Sequence, residues 1–179
     1  LAELFITILK TWADISFIAK SALFCISATL RLLPQSQLQR NENCQKMIQA
    51  LLVFSVDPRP KIRKHAQRVT SRVYLSLPTI QTQFLVPQQF QDVFINFAMI
   101  ELDYDSDASK KDVTSALHFC GLLKSVLHTF STTTIAQILS QLIQLTAFGN
   151  QYLVLQTFQV VNNLYKRGFE FSTCLLYLS

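Results

Sequence analysis

The sequence predicts an all-α protein, and three observations lead to this prediction. The 179 residues are 50% hydrophobic but include only three Gly and five Pro, so the Gly-punctuated alternation of β folds is missing. Apolar residues recur at helical spacing, and the helical patterns come in pairs. The second helices of these pairs begin near Phe17, Pro60, Lys110 and Asn150, and their spacings bracket the ~40 to 47 residues of HEAT and armadillo repeats. We therefore predict a HEAT/armadillo-type α-solenoid of about four helical pairs.

The helical pairs give approximate repeat bounds along the chain. We expect residues 1–179 to form a single solenoid segment of a longer protein, because the helical pattern is already running at Leu1 without an initiator Met. Residues 169–179 are expected to start a further helix. The predicted repeats are 1–33, 44–78, 87–130 and 132–168.

Turn and capping residues support these boundaries. Pro60 suits the first turn of a helix, where its missing N–H costs nothing. Ser109, followed three residues later by Asp112, is typical of a capping box at a helix start. Gly149 lies where one helix is expected to end before the next begins.

The stretch from Asp57 to Arg72 holds six of the sixteen Lys and Arg residues of a chain with net charge +5. At about 100° per residue, the helix from Pro60 divides into two faces. The predicted core face is Ile62, Ala66, Val69 and Val73. The predicted basic ridge on one flank is Lys61, Lys64, Arg68 and Arg72.

Like charges stacked along one helix repel each other unless water, salt or a polyanion screens them, so we predict phosphate contacts at this basic ridge, with Arg59 as a fifth candidate. The alternative is a solvated flank without a partner. Because no aromatic residues interleave with the ridge in the sequence, RNA binding there is expected to be shape-led and salt-sensitive. Arg63 falls on the opposite flank, and the Asp57-to-Arg63 spacing is typical of HEAT repeats, where such residues have an inter-repeat structural role.

Several other function classes lack support in the sequence. Cys25, Cys44, Cys120 and Cys174 have no CxxC spacing and are expected to be buried reduced thiols, which favours a reducing compartment. The three His residues have no ligand spacing, and no apolar run is long enough for a membrane span. No nucleotide-binding or hydrolase motif is present, so we predict no enzyme, no cofactor, no metal and no small-molecule substrate.

Two remaining segments have ordinary interpretations. The acidic segment 101–107 starts like a calcium loop, but Ala108 stands where the loop needs Gly, and Thr114 where it needs Glu. We expect a solvated loop, with partner docking or phosphorylation as the alternative. Phe90, Phe94 and Phe97 recur at helical spacing, which favours a core face.

A resemblance to a known family begins at LLVFSVDPRPKIRKHAQ, residues 51–67. This segment resembles a HEAT repeat of the ribosomal RNA processing protein 12 family, karyopherin-like ribosome assembly factors with a similar L-L-S-F-x-x-x-P-K-P-K-[IV]-R-K-A-A-Q run. Arg59 replaces a lysine of that run and His65 an alanine. A second segment, residues 97–130, is similar to the family's Leu-His and Leu-Leu-Lys pattern at Leu117, His118 and Leu122 to Lys124. Together these segments extend the resemblance over roughly residues 20–168.

The resemblance implies a scaffold in small ribosomal subunit biogenesis, with roles in pre-rRNA processing, pre-40S maturation and nuclear export. It also implies pre-rRNA and pre-40S proteins as partners, possible association with Ran GTPase through the full-length protein, and a nucleolar and nuclear location with shuttling to the cytoplasm. A nuclear transport adaptor, or a general protein-interaction scaffold without RNA contact in this segment, is the alternative.

Overall fold

The structure is a computed structural model that describes residues 2–34, 38, 41–76, 107–146 and 150–171. These residues form α-helices and one short 3-10 helix, without a strand among them, which confirms the all-α prediction. No helix in these ranges is both long and apolar enough to cross a bilayer. The helices are α1 (Ala2–Trp12), α2 (Ser16–Leu32), α3 (Glu42–Phe54), α4 (Pro60–Ser76), α5 (Asp107–Val126), α6 (Thr132–Thr146) and α7 (Gln151–Lys166), and the 3-10 helix is Leu127–Thr129.

The chain divides into two compact units, residues 1–90 and 91–179. In the first unit, α1 packs on α2, and α3 packs on α4, so each predicted pair forms. The pairs then stack on each other, α1 against α3 and α2 against α4. Because each pair buries its apolar faces against the next pair, this unit has the packing of a solenoid.

The predicted core face of α4 is confirmed. Ile62, Ala66, Val69 and Val73 are each at most 2% exposed. Full burial of a Val or Ile side chain contributes about 1.5 to 3 kcal/mol to the stability of the folded state. The helices that α4 contacts also bury residues in this unit, among them Leu23, Ile26, Leu30, Met47, Ile48, Leu51 and Leu52.

Buried hydroxyl groups add specific contacts between these helices. Ser27 of α2 donates to the main-chain carbonyl of Val69 in α4 at 3.1 Å. The hydroxyl groups of Ser55 and Thr70 lie 3.2 Å apart, and Ser55 also donates to the Leu51 carbonyl at 2.8 Å. A buried polar group costs free energy unless it is hydrogen-bonded, so these contacts fix how α2 and the end of α3 meet α4.

In the second unit, α7 packs against both α5 and α6. The end of α7 follows from Gly168, whose φ of 80° is left-handed and suits glycine. Phe169 N–H donates to the Leu164 carbonyl at 3.2 Å and Gly168 N–H to the Tyr165 carbonyl at 2.9 Å, which is a Schellman motif. The core of this unit includes Ala116, Phe119, Cys120, Leu122, Leu123, Val126, Ile135, Leu139, Leu142, Leu153, Val160 and Leu164.

The predicted helix starts agree with the structure at three of the four second helices. These begin at Ser16, Pro60 and Gln151, whereas α5 begins at Asp107, three residues before Lys110. Ser109 is therefore inside the helix and not at its N-cap. A side-chain cap is present at the start of α7, where the Asn150 side chain accepts hydrogen bonds from the N–H groups of Tyr152 and Leu153.

Some predictions fall outside the described residues. These are Gly149, the aromatic positions Phe90, Phe94 and Phe97, the acidic segment up to residue 106, and residues 172–179 of the predicted further helix. The repeat bounds stay a prediction.

Candidate nucleic-acid interface

The basic ridge lies on the exposed side of α4. Lys61, Lys64, Arg68 and Arg72 are all exposed, on the side of the helix away from the core face. The ridge spans three turns, about 16 Å along the helix axis. Within the part of the chain that the structure describes, none of the four cations has an acidic partner within ion-pair distance. They form a row of solvated positive charges.

Arg59 differs from the ridge residues because its guanidinium group is held by the protein. Its Nε and Nη2 donate to the two carboxylate oxygens of Asp57 at 2.9 and 2.7 Å. Its Nη1 donates to the Ala13 carbonyl at 2.7 Å and lies 3.6 Å from a carboxylate oxygen of Asp14. Arg59 thus joins the turn before α4 to the turn before α2. A phosphate contact by Arg59, which stays a prediction, would compete with these bonds.

Asp57 and Arg63, for which an inter-repeat structural role is predicted, contact each other through the main-chain carbonyl of Asp57 and not through its carboxylate. Within the described residues, the Asp57 carboxylate contacts Arg59, whereas Arg63 Nη1 donates to the main-chain carbonyls of Asp57 and Pro58 at 2.9 and 3.1 Å. Burial would raise the pKa of Asp57, but the hydrogen bonds and charge of Arg59, with the charge of Arg63, hold it below its usual value. Asp57 is therefore a carboxylate at neutral pH, and it reaches the first helical pair through Arg59.

A groove between α2 and α4 adjoins the ridge, and sequence reasoning missed it. We call it the α2–α4 groove. Its cavity volume is about 490 Å³. Both phenylalanine side chains of this groove are exposed, Phe17 to 77% and Phe24 to 53%. The groove is lined by Phe17, Lys20, Ser21, Phe24, Cys25 and His65.

The imidazole of His65 connects this groove to the ridge. Burial is the main cause that lowers the pKa of His65, and a hydrogen bond with the main chain of Lys20 opposes it. The positive charges of Arg68, Lys20 and Arg72 lower the pKa further. His65 is therefore neutral at pH 7, and two ridge residues lie close enough to influence it.

Comparison with protein families identifies the chain. The model of the family described as RRP12-like, N-terminal HEAT repeats, matches residues 1–168. The chain belongs to this family. Comparisons with curated proteins and with solved structures gave no significant match.

Membership of the RRP12-like family confirms the resemblance and the α-solenoid prediction. HEAT repeats are typically a non-catalytic scaffold, and the RRP12-like family indicates a scaffold connected with ribosome biogenesis. Cys25, Cys44 and Cys120 are free thiols, and burial raises the pKa of Cys120 to about 11, so this thiol is a poor nucleophile. Among the described residues no group of three His, Cys, Asp or Glu side chains could hold a metal ion.

The depressed pKa of His65 predicts a pH dependence of stability. The unfolded chain binds a proton at His65 below the ordinary His value of 6.5, whereas the folded chain resists protonation there. Stability should therefore fall as the pH drops below 6.5, and the variant His65→Gln should lose less stability over the same interval. Denaturant unfolding midpoints between pH 5 and 8 measure this effect.

The variant His128→Gln tests the same reasoning at a second histidine, in the second unit. Burial and the charge of Arg167 also lower the pKa of His128, so its removal should likewise reduce the loss of stability below pH 6.5. If His65→Gln and the unchanged protein lose stability in parallel, the desolvated environment assigned to His65 is wrong.

Proposed function

We propose that this segment is a non-catalytic HEAT-repeat scaffold in small ribosomal subunit biogenesis that contacts pre-rRNA through the basic ridge of Lys61, Lys64, Arg68 and Arg72. It serves pre-rRNA processing, pre-40S maturation and export, in the nucleolus and nucleus. Assembly-factor proteins are further partners, and Ran is a partner of the full-length protein. The observation that supports RNA contact is the row of four exposed cations without an acidic partner in the described part of the chain.

Electrostatics makes an RNA backbone a suitable partner for this row. Charges spaced along one helix flank repel each other, and an added row of phosphates removes that repulsion. Each phosphate that a cation neutralises also releases condensed counterions, which favours binding at low salt. The ridge therefore predicts affinity with a steep salt dependence and little base preference.

A protein-interaction scaffold or nuclear transport adaptor is the second candidate, and a separate groove favours it. This groove between α1 and α3 has a volume of about 450 Å³ and is lined mainly by apolar side chains, among them Ile6, Val53 and Phe54. Lys10 and Lys46 border it, although Lys46 pairs with Glu42 at 2.8 Å. Such a surface suits an apolar segment of another protein.

The proposal is tested by RNA binding across a salt series. The chain and a variant with Lys61, Lys64, Arg68 and Arg72 changed to Gln are titrated with a structured pre-rRNA fragment. The variant should lose most of its affinity, and its plot of log affinity against log salt should be shallower by about 3, since each contact contributes about 0.7 to 0.9 to the slope.

A control variant of equal net charge separates ridge contacts from general charge. It carries Gln at the exposed positions Lys10, Lys46, Lys166 and Arg167, and it should keep nearly all of the affinity. If the ridge variant binds as tightly as the control, or if neither the chain nor the variants bind RNA, the ridge proposal is wrong and the protein-interaction scaffold is the better explanation.

A further inference from the structure

The face of α2 that lines the α2–α4 groove has both aromatic and cationic side chains. Along α2, Phe17, Lys20, Ser21 and Phe24 fall within one arc at 100° per residue, on the side opposite Leu23, Ile26 and Leu30. The two rings are two turns apart, about 10 Å along the helix axis. This face of α2 therefore has two exposed aromatic rings with a cation between them.

The ridge of α4 runs beside this face. Two contacts fix the direction of the helices, because Lys20 lies against His65, and Ser27 against Val69. Since both residue numbers increase together, α2 and α4 run in the same direction. Arg68 is therefore nearer to the level of Phe24 than to that of Phe17, and Arg68 and Arg72 both lie close enough to His65, which lines the groove, to act on it electrostatically.

Two exposed phenylalanine rings lie two helical turns apart on α2, with Lys20 between them along the helix. Large apolar side chains are normally buried, and exposed clusters of them mark interaction sites. Among the residues that line the groove, none is acidic, while Lys20 belongs to the lining and Arg68 and Arg72 act on its His65 electrostatically. The partner should therefore combine flat apolar groups with negative charge.

We propose that the α2–α4 groove binds single-stranded RNA, with unpaired bases stacked on Phe17 and Phe24 and with phosphates held by Lys20, Arg68 and Arg72. This inference rests on the proposed RNA contact of the ridge and goes beyond it, because it names the form of the RNA. Aromatic side chains stack on bases of any sequence, and a positively charged groove follows the backbone. Duplex RNA keeps its bases stacked on each other, so it can use the cations but not the rings.

An acidic peptide is the other class of partner that the charges would attract. It is less well suited, because its side chains alternate in direction and do not place a flat ring and an anion at every unit, as a nucleotide does.

The test compares a single-stranded oligoadenylate of about a dozen nucleotides with an RNA duplex of similar length. Binding of the full chain is measured by fluorescence anisotropy for the unchanged protein and for Phe17→Ala, Phe24→Ala and Phe24→Trp. Each alanine variant should bind the single strand about tenfold more weakly, with the salt slope unchanged, because base–aromatic stacking and not ion pairing is lost. Duplex affinity should not change, and Phe24→Trp should keep the affinity for the single strand.

Phe158→Ala is the matched control, since Phe158 is a 69% exposed phenylalanine on α7. It should leave single-strand affinity unchanged. If the alanine variants bind the single strand as tightly as the unchanged protein while the ridge variant does not, stacking is wrong and the ridge proposal stands. If a polyglutamate peptide binds with the same dependence on Phe17 and Phe24, the groove is a peptide site. If the chain binds neither RNA, both proposals fail.

Discussion

Phe119→Ala should lower the free energy of unfolding by about 3 to 5 kcal/mol, because it removes a large side chain from the centre of a packed core. Phe119 is 0% exposed and belongs to α5, the helix against which α7 packs. Truncation removes the favourable free energy of moving the ring from water into the core. It also leaves a cavity that Leu122, Leu123 and their neighbours fill only in part. Urea denaturation followed by circular dichroism measures the change.

Phe158→Ala gives the matched control for this prediction. The same chemical change at a position 69% exposed should alter the free energy of unfolding by no more than about 0.5 kcal/mol. If the two variants are destabilised equally, the assignment of α5 and α7 to a common core is wrong. A loss confined to Phe119→Ala shows that the second unit depends on this buried face.

The helices and their core faces were predictable because they follow from local periodicity. Ile62, Ala66, Val69 and Val73 repeat at the spacing that places them on one side of any straight helix, so no knowledge of the neighbours was needed. Pro60 marked the start of α4 for a reason that is equally local. The start of α5 was harder, because capping interactions of about 1 kcal/mol decide between neighbouring positions, and residues of the types that cap helices, such as Asp107 and Ser109, occur close together in this part of the sequence.

The candidate interface was predictable only on its own helix. The ridge required a single helical wheel, whereas the partner of Arg59 lies 46 residues away at Ala13 and depends on how the pairs stack. The same limit explains the groove. Phe17 and Phe24 are a detectable i, i+7 pair on the face of α2 away from its core, but their place beside the ridge appears only when α2 is known to pack on α4.

Arg59→Ala should lower the free energy of unfolding by about 2 kcal/mol, since hydrogen bonds to charged groups contribute about 1.5 to 3 kcal/mol and part of this is offset by solvent. The Asp57 side chain is only 9% exposed, while that of Arg59 is 38% exposed. Removing Arg59 leaves the Asp57 carboxylate with poor access to water, and it also removes the donor that reaches Ala13. The unfolding midpoint in urea at pH 7 measures the loss.

Two further variants show whether Arg59 stabilises the fold through its hydrogen bonds with Asp57 or only through its positive charge. Lys61→Ala removes an exposed cation two residues away and should change stability by no more than about 0.5 kcal/mol. The double variant Asp57→Asn, Arg59→Ala should lose less stability than the two single variants together, because each single change leaves the other side chain without its partner.

The pKa of Asp57 lies below its usual 3.8, so the stability from this pair should persist above pH 3.8 and disappear as the pH falls through the folded-state value. Additive losses, or an acid response identical in Arg59→Ala and the unchanged chain, would show that Asp57 and Arg59 do not stabilise the stacked pairs as a unit.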